Sequence, residues 1–216
     1  IGIDVSKFQG TIDWAQVASS GVDFAMIRVG YRAQKTGVIY ADTNAKYNMQ
    51  QAAANGIKVG AYFFSSAVNE AEAIEEADWV ADFISDYSIT YPVAFDCEGF
   101  NTSESRQKSM TKAERTAAAT SFLQEIYDKG YTPMFYAASS ELSNNNQWNT
   151  ASLENSYKIW VAQYPSTPYP ETPSTSYTGT CRVAGIGTNV DINVAYFGYS
   201  ESNGSLSGET AAAASP

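Results

Sequence analysis

The run Tyr91-Pro92-Val93-Ala94-Phe95-Asp96-Cys97-Glu98 begins apolar and ends in two carboxylates. It reads as a buried strand whose C-terminal end carries chemistry, the end at which α/β folds build their sites. Just before it, Ile74, Ala77, Val80, Ala81, Ile84 and Tyr87 recur at helical spacing, a stripe that should face a sheet. Helix and strand together make one phrase, and the chain repeats it. Helical patterns close at Gly21, at Asn55-Gly56 and at Lys129-Gly130, where a left-handed position favours Gly or Asn. Each is followed by a strand-like run: Phe24-Ala25-Met26-Ile27, Ile57-Lys58-Val59-Gly60-Ala61-Tyr62 and Pro133-Met134-Phe135-Tyr136. Capping boxes are expected at Asn69 with Glu72 and at Thr111 with Glu114. Beyond about residue 138 the phrase changes. Lys158-Ile159-Trp160-Val161-Ala162 and Val190-Asp191-Ile192-Asn193-Val194 are strand-like with no long helix between them, so the last strands should close the sheet directly.

A chain of 216 residues, 44% hydrophobic with 15 Tyr, 10 Phe and 4 Trp, suits one packed α/β domain. Lys and Arg number 13 against 23 Asp and Glu, a formal charge of -10, and no basic segment is interleaved with aromatics; nucleic acid is not an expected partner. Histidine is absent, which removes the usual base of Ser and Cys hydrolases and the commonest zinc ligand. Chemistry must lean on carboxylates, and no metal or cofactor is expected. Cys97 and Cys181 are too few and too distant in sequence for a disulfide scaffold. No bond between them is expected, because strand alternation turns Cys97 toward the helices as a small buried hydrophobe. No stretch approaches the roughly 18 apolar residues of a membrane span, so membrane insertion is not expected. The opening at Ile1 on a strand pattern reads as a mature or trimmed form.

Positions i and i+2 of a strand share a face, so Asp96 and Glu98 project together, with Cα atoms roughly 6 to 7 Å apart. Two like charges that close raise the pKa of at least one, and a Glu kept protonated can donate to a glycosidic oxygen. Asp-x-Glu by itself is common and equally describes two solvated carboxylates. Two further Asp residues lie within apolar runs, Asp4 in Gly2-Ile3-Asp4-Val5-Ser6 and Asp191 in Asn189-Val190-Asp191-Ile192-Asn193. In a closed barrel all four converge on one rim, where the aromatics preceding loops, Phe8, Tyr62, Tyr136, Trp160 and Tyr164, would offer surfaces for stacking a sugar.

Six ordered segments resemble glycoside hydrolase family 25, the lysozymes that act as N-acetylmuramidases. They are Gly-Ile-Asp-Val-Ser-Lys-Phe-Gln-Gly at 2–10, Phe-Ala-Met-Ile-Arg-Val-Gly-Tyr-Arg at 24–32, Val-Gly-Ala-Tyr-Phe at 59–63, Pro-Val-Ala-Phe-Asp-Cys-Glu at 92–98, Ile-Trp-Val-Ala-Gln-Tyr at 159–164 and Val-Ala-Gly-Ile-Gly-Thr-Asn-Val-Asp-Ile-Asn at 183–193. The resemblance spans roughly 1–198 and implies an irregular TIM-type barrel, about five βα units followed by three strands with little helix. Residues 199–216, rich in Ser, Gly, Ala and Glu, are expected as a flexible tail or linker.

The resemblance implies cleavage of peptidoglycan between N-acetylmuramic acid and N-acetylglucosamine, in a secreted or wall-associated monomer of bacterial or phage origin. Glu98 takes the family's acid position, with Asp96, Asp4 and Asp191 around it. Gln9, Tyr62, Tyr136, Trp160 and Tyr164 are the expected substrate contacts, and Arg28 matches a residue beneath the groove. Three positions depart from the family's pattern: Thr175-Ser176-Tyr177 stands where Trp-Gln-Tyr is usual, Phe63 where His is frequent, and Cys97 where an aliphatic is usual. Two rivals are a chitinase-like enzyme and a non-catalytic glycan-binding barrel. Family 18 chitinases carry a further Asp two residues before the Asp-x-Glu pair, where this chain has Ala94. Retention of four carboxylates argues against binding alone.

Overall fold

A computed structural model describes residues 1–143, 145–163 and 176–195. The tail expected over 199–216 lies outside the described residues, as do Tyr164 and Thr175. The strands are β1 (Gly2–Val5), β2 (Phe24–Arg32), β3 (Ile39–Ala41), β4 (Lys58–Phe64), β5 (Val93–Asp96), β6 (Pro133–Ala138), β7 (Lys158–Ala162), β8 (Ser176–Cys181) and β9 (Val190–Asn193). Between them run α1 (Trp14–Ser19), α2 (Ala45–Ala54), α3 (Glu70–Ile84), α4 (Lys112–Asp128), α5 (Ser139–Leu142) and α6 (Thr150–Ser156). The main path of the sheet is β7-β6-β5-β4-β2-β1-β9-β8, with β3 pairing β2. Strands β1, β2, β4, β5, β6 and β7 are parallel neighbours, while β9 runs antiparallel to β1 and β8 to β9. Five βα units followed by three strands is therefore the observed order.

The three expected helix stops hold, and Gly21, Gly56 and Gly130 all have positive φ. Thr111 and Glu114 form the full capping box. Asn69 caps the Glu72 N–H, but the Glu72 carboxylate accepts from Val68 and Arg106 instead of closing the second box. On α3 the inward face includes Ala73, Glu76, Ala77, Val80, Ala81 and Ile84, whereas Ile74 is exposed. Ala77, Val80, Ala81 and Ile84 thus face inward as expected and Tyr87 packs against the core beyond the helix, while the inward face also takes in Glu76, which polarity alone would place outside. The Glu76 carboxylate receives Arg32 Nε at 2.7 Å and Ser65 Oγ at 2.6 Å, joining α3 to β2 and to the residue that follows β4.

Alternation along the strands separates two apolar regions. Outward residues such as Ile27, Val59, Phe63, Phe95, Cys97 and Phe135 pack with the helices. Phe63 lies in this layer with its ring 5.7 Å from Trp79, so its difference from the family pattern falls outside the groove. Inward residues Phe24, Met26, Tyr91, Ala94 and Met134 fill the barrel, with Tyr62 and Trp160 packed against them. Glycine makes the room: a Cβ on Gly2 would strike the Phe24 ring, and one on Gly60 would strike Met26 Sδ and the Pro92 carbonyl. The bottom of the barrel is thus plugged with side chains, which leaves the C-terminal rim for polar residues.

Candidate active site

The expected strand over residues 91–98 ends at Asp96, where the Asp96 carbonyl accepts from Ser65 N–H at 2.7 Å. Cys97 and Glu98 continue the alternation without a strand partner. Cys97 is buried among the helix-facing residues, and no disulfide joins it to Cys181. Its sulfur receives Gln107 Nε2 at 3.3 Å, while the same amide nitrogen donates to the Ala67 carbonyl at 3.0 Å. Arg106 then binds Glu72 through both terminal nitrogens at 2.9 Å. These bonds hold the loop that carries Glu98 against β4 and α3.

Register brings the inward residues into layers. Arg28, Tyr62, Ala94 and Met134 are successive neighbours across four strands, and Phe64, Asp96, Tyr136 and Trp160 form the layer above. On the far side Asp4 of β1 faces Asp191 of β9 directly. Like charges opposed in an antiparallel pair destabilise a sheet, so this pair has no structural advantage. A relay reaches across the barrel: Trp160 Nε1 of β7 donates to Asn193 Oδ1 of β9 at 2.9 Å, and Asn193 Nδ2 donates to Asp4 Oδ2 on the adjacent β1 at 2.8 Å. Since β7 and β9 lie near opposite ends of the strand order, this relay requires the sheet to curl upon itself.

Four carboxylates therefore share one rim, and burial is the leading cause of the shifts of three of them, Asp96, Asp4 and Glu98. Asp96 is buried, and its Oδ1 has no hydrogen-bond partner among the described residues. Burial first, then the neighbouring charges of Glu98 and Asp4, hold its carboxyl well above the ordinary range, with Arg28 pulling the other way. Asp4 is pushed up to about 7 by burial and then by Asp191, against the Asn193 bond. Glu98 is raised by burial, tempered by the Tyr136 hydroxyl that donates to its Oε1 at 3.3 Å, and raised again by Glu141 and Asp191. Tyr62 stays a neutral phenol, its pKa lifted by burial and by Asp4 and Asp96. For Asp96 and Glu98 both shifts run toward the protonated form, the direction that acid catalysis by a carboxyl requires.

The expected contacts divide. Tyr62, Tyr136 and Trp160 gather over the barrel plug, Trp160 lying edge-on to Tyr62 at 5.9 Å and to Tyr136 at 4.8 Å. Gln9 has its amide engaged internally: Oε1 accepts from Ser6 N–H at 2.8 Å and Nε2 donates to the Asn189 carbonyl at 3.4 Å, joining the turn after β1 to the loop before Asp191. Tyr164 is outside the described residues.

Several residues here were not singled out as candidates from sequence. Asp42, its side chain fully buried, receives Arg28 Nη2 at 2.8 Å and the Lys7 N–H at 3.0 Å. Asn193 was visible only as the i+2 neighbour of Asp191. Glu141, just beyond β6, accepts from Trp148 Nε1 at 3.1 Å and adds its charge to the field on Asp96 and Glu98. No group of three His, Cys, Asp or Glu among the described residues is placed to hold a metal ion.

The family model for glycosyl hydrolases family 25 matches residues 3–200. The chain belongs to that family. Among its relatives, lysozyme M1 of Streptomyces globisporus is 29% identical over 208 residues, covering 89% of this chain and 66% of the relative. The modular autolysin LytC of Streptococcus pneumoniae superposes with a TM-score of 0.72 at 22% identity, covering 88% of this chain and 44% of that one. The bacterial lysozyme of Streptomyces coelicolor does so with 0.62 at 23% identity, covering 88% of each. The chain thus spans just under two thirds of the Streptomyces globisporus lysozyme and less than half of the autolysin. The family 25 fold, an irregular barrel, agrees with the curled sheet and the five-plus-three order described above.

Proposed function

We propose that this family 25 domain is an N-acetylmuramidase, hydrolysing the β-1,4 bond between N-acetylmuramic acid and N-acetylglucosamine in peptidoglycan. The observation that carries the reading is the asymmetry of the Asp96/Glu98 pair: one carboxyl is buried with an oxygen unsatisfied, the other is open to the groove beside a phenol. The open member can reach a leaving oxygen, and the buried one can accept an N–H from a substrate amide. A 2-acetamido group supplies that N–H.

In this mechanism Glu98 gives its proton to the glycosidic oxygen as the bond to the anomeric carbon breaks. The acetamido carbonyl oxygen attacks that carbon from the opposite face, and Asp96, ionised, accepts the acetamido N–H and stabilises the oxazolinium-type intermediate. Glu98, now a carboxylate, takes a proton from water as the water opens the ring. Two inversions give net retention. In the free groove burial favours the protonated form of Asp96 against the pull of Arg28; substrate covering Glu98 takes it out of water, and the proton shared by the pair passes to Glu98 as Asp96 ionises. Asp4 and Asp191 lend negative potential to the developing cation. A direct attack by Asp4 or Asp191 is the mechanistic rival, which needs a carboxylate about 5 Å from Glu98.

The named relatives support a cell-wall substrate, and the autolysin is also known in complex with a synthetic peptidoglycan ligand. Such a substrate places the action in the wall, outside the cell. No described helix is long and apolar enough to cross a membrane. Against a chitinase-type site, Ala94 is fully buried between Tyr62 and Met134, so no third acid precedes the pair. The test is digestion of purified peptidoglycan. Mass spectrometry should find new reducing ends at N-acetylmuramic acid, and early proton NMR should find the β-anomer first. New ends at N-acetylglucosamine would overturn the bond assignment, and an initial α-anomer would overturn acetamido participation.

A further inference from the structure

Beside the carboxylate groove stands a group of side chains with no part in the chemistry above. The turn after β1 carries Lys7 and Phe8, three and four residues beyond Asp4, and β2 carries Tyr31 beyond Arg28. Lys7 Nζ lies 5.6 Å from the Phe8 ring centre and 5.4 Å from that of Tyr31. Arg28 Cζ lies 5.0 and 5.6 Å from the same two rings. Tyr40 of the β3 hairpin extends the surface, stacked on Tyr31 at 5.6 Å. Phe8 is 68% exposed and Tyr40 46%. The turn is fixed from within by the Ser6/Gln9 capping box, so these rings are presented on a rigid support that does not need them for its own packing.

The two cations differ in what faces them. Arg28 is neutralised by Asp42 at 2.8 Å. Asp42 also takes the Lys7 backbone N–H but not its ammonium, which makes no ion pair among the described residues. In a chain of net charge -10, with an acidic groove a few residues away, a cation held over two aromatic faces without a carboxylate partner is complementary to an anion that arrives with the ligand.

We propose that Lys7, Phe8 and Tyr31 form a subsite for the carboxylate-bearing arm of a muramic acid sugar. The ammonium pairs with a carboxylate, and the rings pack on the apolar part of the arm. Only the ligand's identity rests on the muramidase reading. Chitin-type glycans lack this group, so the subsite would distinguish muramyl from glucosaminyl residues. The carboxylate has two sources, the free lactyl group of peptide-stripped glycan or the stem peptide attached there.

The test compares three glycans of equal length: peptide-stripped, peptide-bearing, and stripped glycan with the lactyl carboxyl reduced to an alcohol. For the unaltered chain, kcat/KM should favour the carboxylate glycans over the reduced one about three- to tenfold, through KM, as a partly exposed ion pair allows. In Lys7→Gln that ratio should approach one, and in Lys7→Glu it should invert, whatever happens to the rate on the reduced glycan. The carboxylate glycan whose advantage is lost identifies the source. An unchanged ratio in both variants, or no preference in the unaltered chain, would overturn the subsite. If none of the glycans is cleaved, the muramidase reading fails; calorimetric titration with the same glycans still tests the subsite by the same ratio of affinities.

Discussion

Replacing Asp4 by Asn should make the protein more stable above neutral pH and leave it nearly unchanged near pH 4. Asp4 faces Asp191 across β1 and β9, and burial together with that charge pushes its carboxyl from the ordinary 3.8 to about 7. An acid whose folded pKa exceeds its unfolded value binds its proton more tightly in the fold. Its contribution is therefore favourable at low pH, declines as pH rises from about 4, and is fully lost above about 7. At about 1.36 kcal/mol per pKa step, the interval from 3.8 to about 7 sets a ceiling of about 4 kcal/mol. Asp4 is partly open to the groove, and solvent screening reduces the working figure to about 2 kcal/mol. Asn preserves the acceptor for Asn193 Nδ2, so the substitution removes charge with little change of shape. For a chain of this size the gain corresponds to roughly 4–8 °C in Tm at pH 8. Glu76 is also pushed up to about 7 by burial, but that dependence is common to both proteins and cancels in the difference. Thermal melts of the two proteins at half-unit steps from pH 4 to 8 would trace the curve. Equal or lower stability of the Asn variant at pH 8 would refute the reasoning, since it would mean that the groove holds ionised Asp4 without cost.

Glu98→Gln should lower turnover on peptidoglycan by at least about a hundredfold while moving Tm by under about 1 °C, because Glu98 is solvent-facing and Gln retains an acceptor for Tyr136; residual activity above a few per cent would place the acid elsewhere. Asp96→Asn should lose most turnover yet still bind glycan in calorimetric titration, and loss of the folded state would mark Asp96 as structural instead. Because Asp96 and Glu98 are both raised, the pH-rate profile should be bell-shaped with its rising limb above the ordinary carboxyl range, a single proton on the pair being the active form. A profile already flat at pH 4 would contradict this. Gly60→Ala should destabilise by about 1–3 kcal/mol through overpacking, since the added carbon meets Met26 and the Pro92 carbonyl at 2.8 Å; an unchanged melting curve would show that the barrel plug yields.

Local chemistry was enough to read the βα phrase, the helix stops and the alternation that separates Asp96 and Glu98 from Cys97, because each depends on backbone geometry within a few residues. The same holds for the full capping box at Thr111 and Glu114. What local patterns could not supply was choice of partner. Glu76 reads as a surface residue of α3, and only the arrival of Arg32 from β2 and Ser65 from the loop after β4 makes burial of its carboxyl tolerable. Asp42 reads as a turn residue until Arg28, 14 positions away, is laid beside it. Asn193 becomes the link between Trp160 and Asp4 only when the sheet curls, bringing together side chains 33 and 189 positions apart in sequence. The sequence by itself thus determined which residues stand at the C-terminal ends of the strands. The tertiary structure alone decided how close those ends come, how deeply each carboxyl is removed from water, and hence where along the pH scale each holds its proton, because desolvation and charge pairing depend on distance through space rather than along the chain.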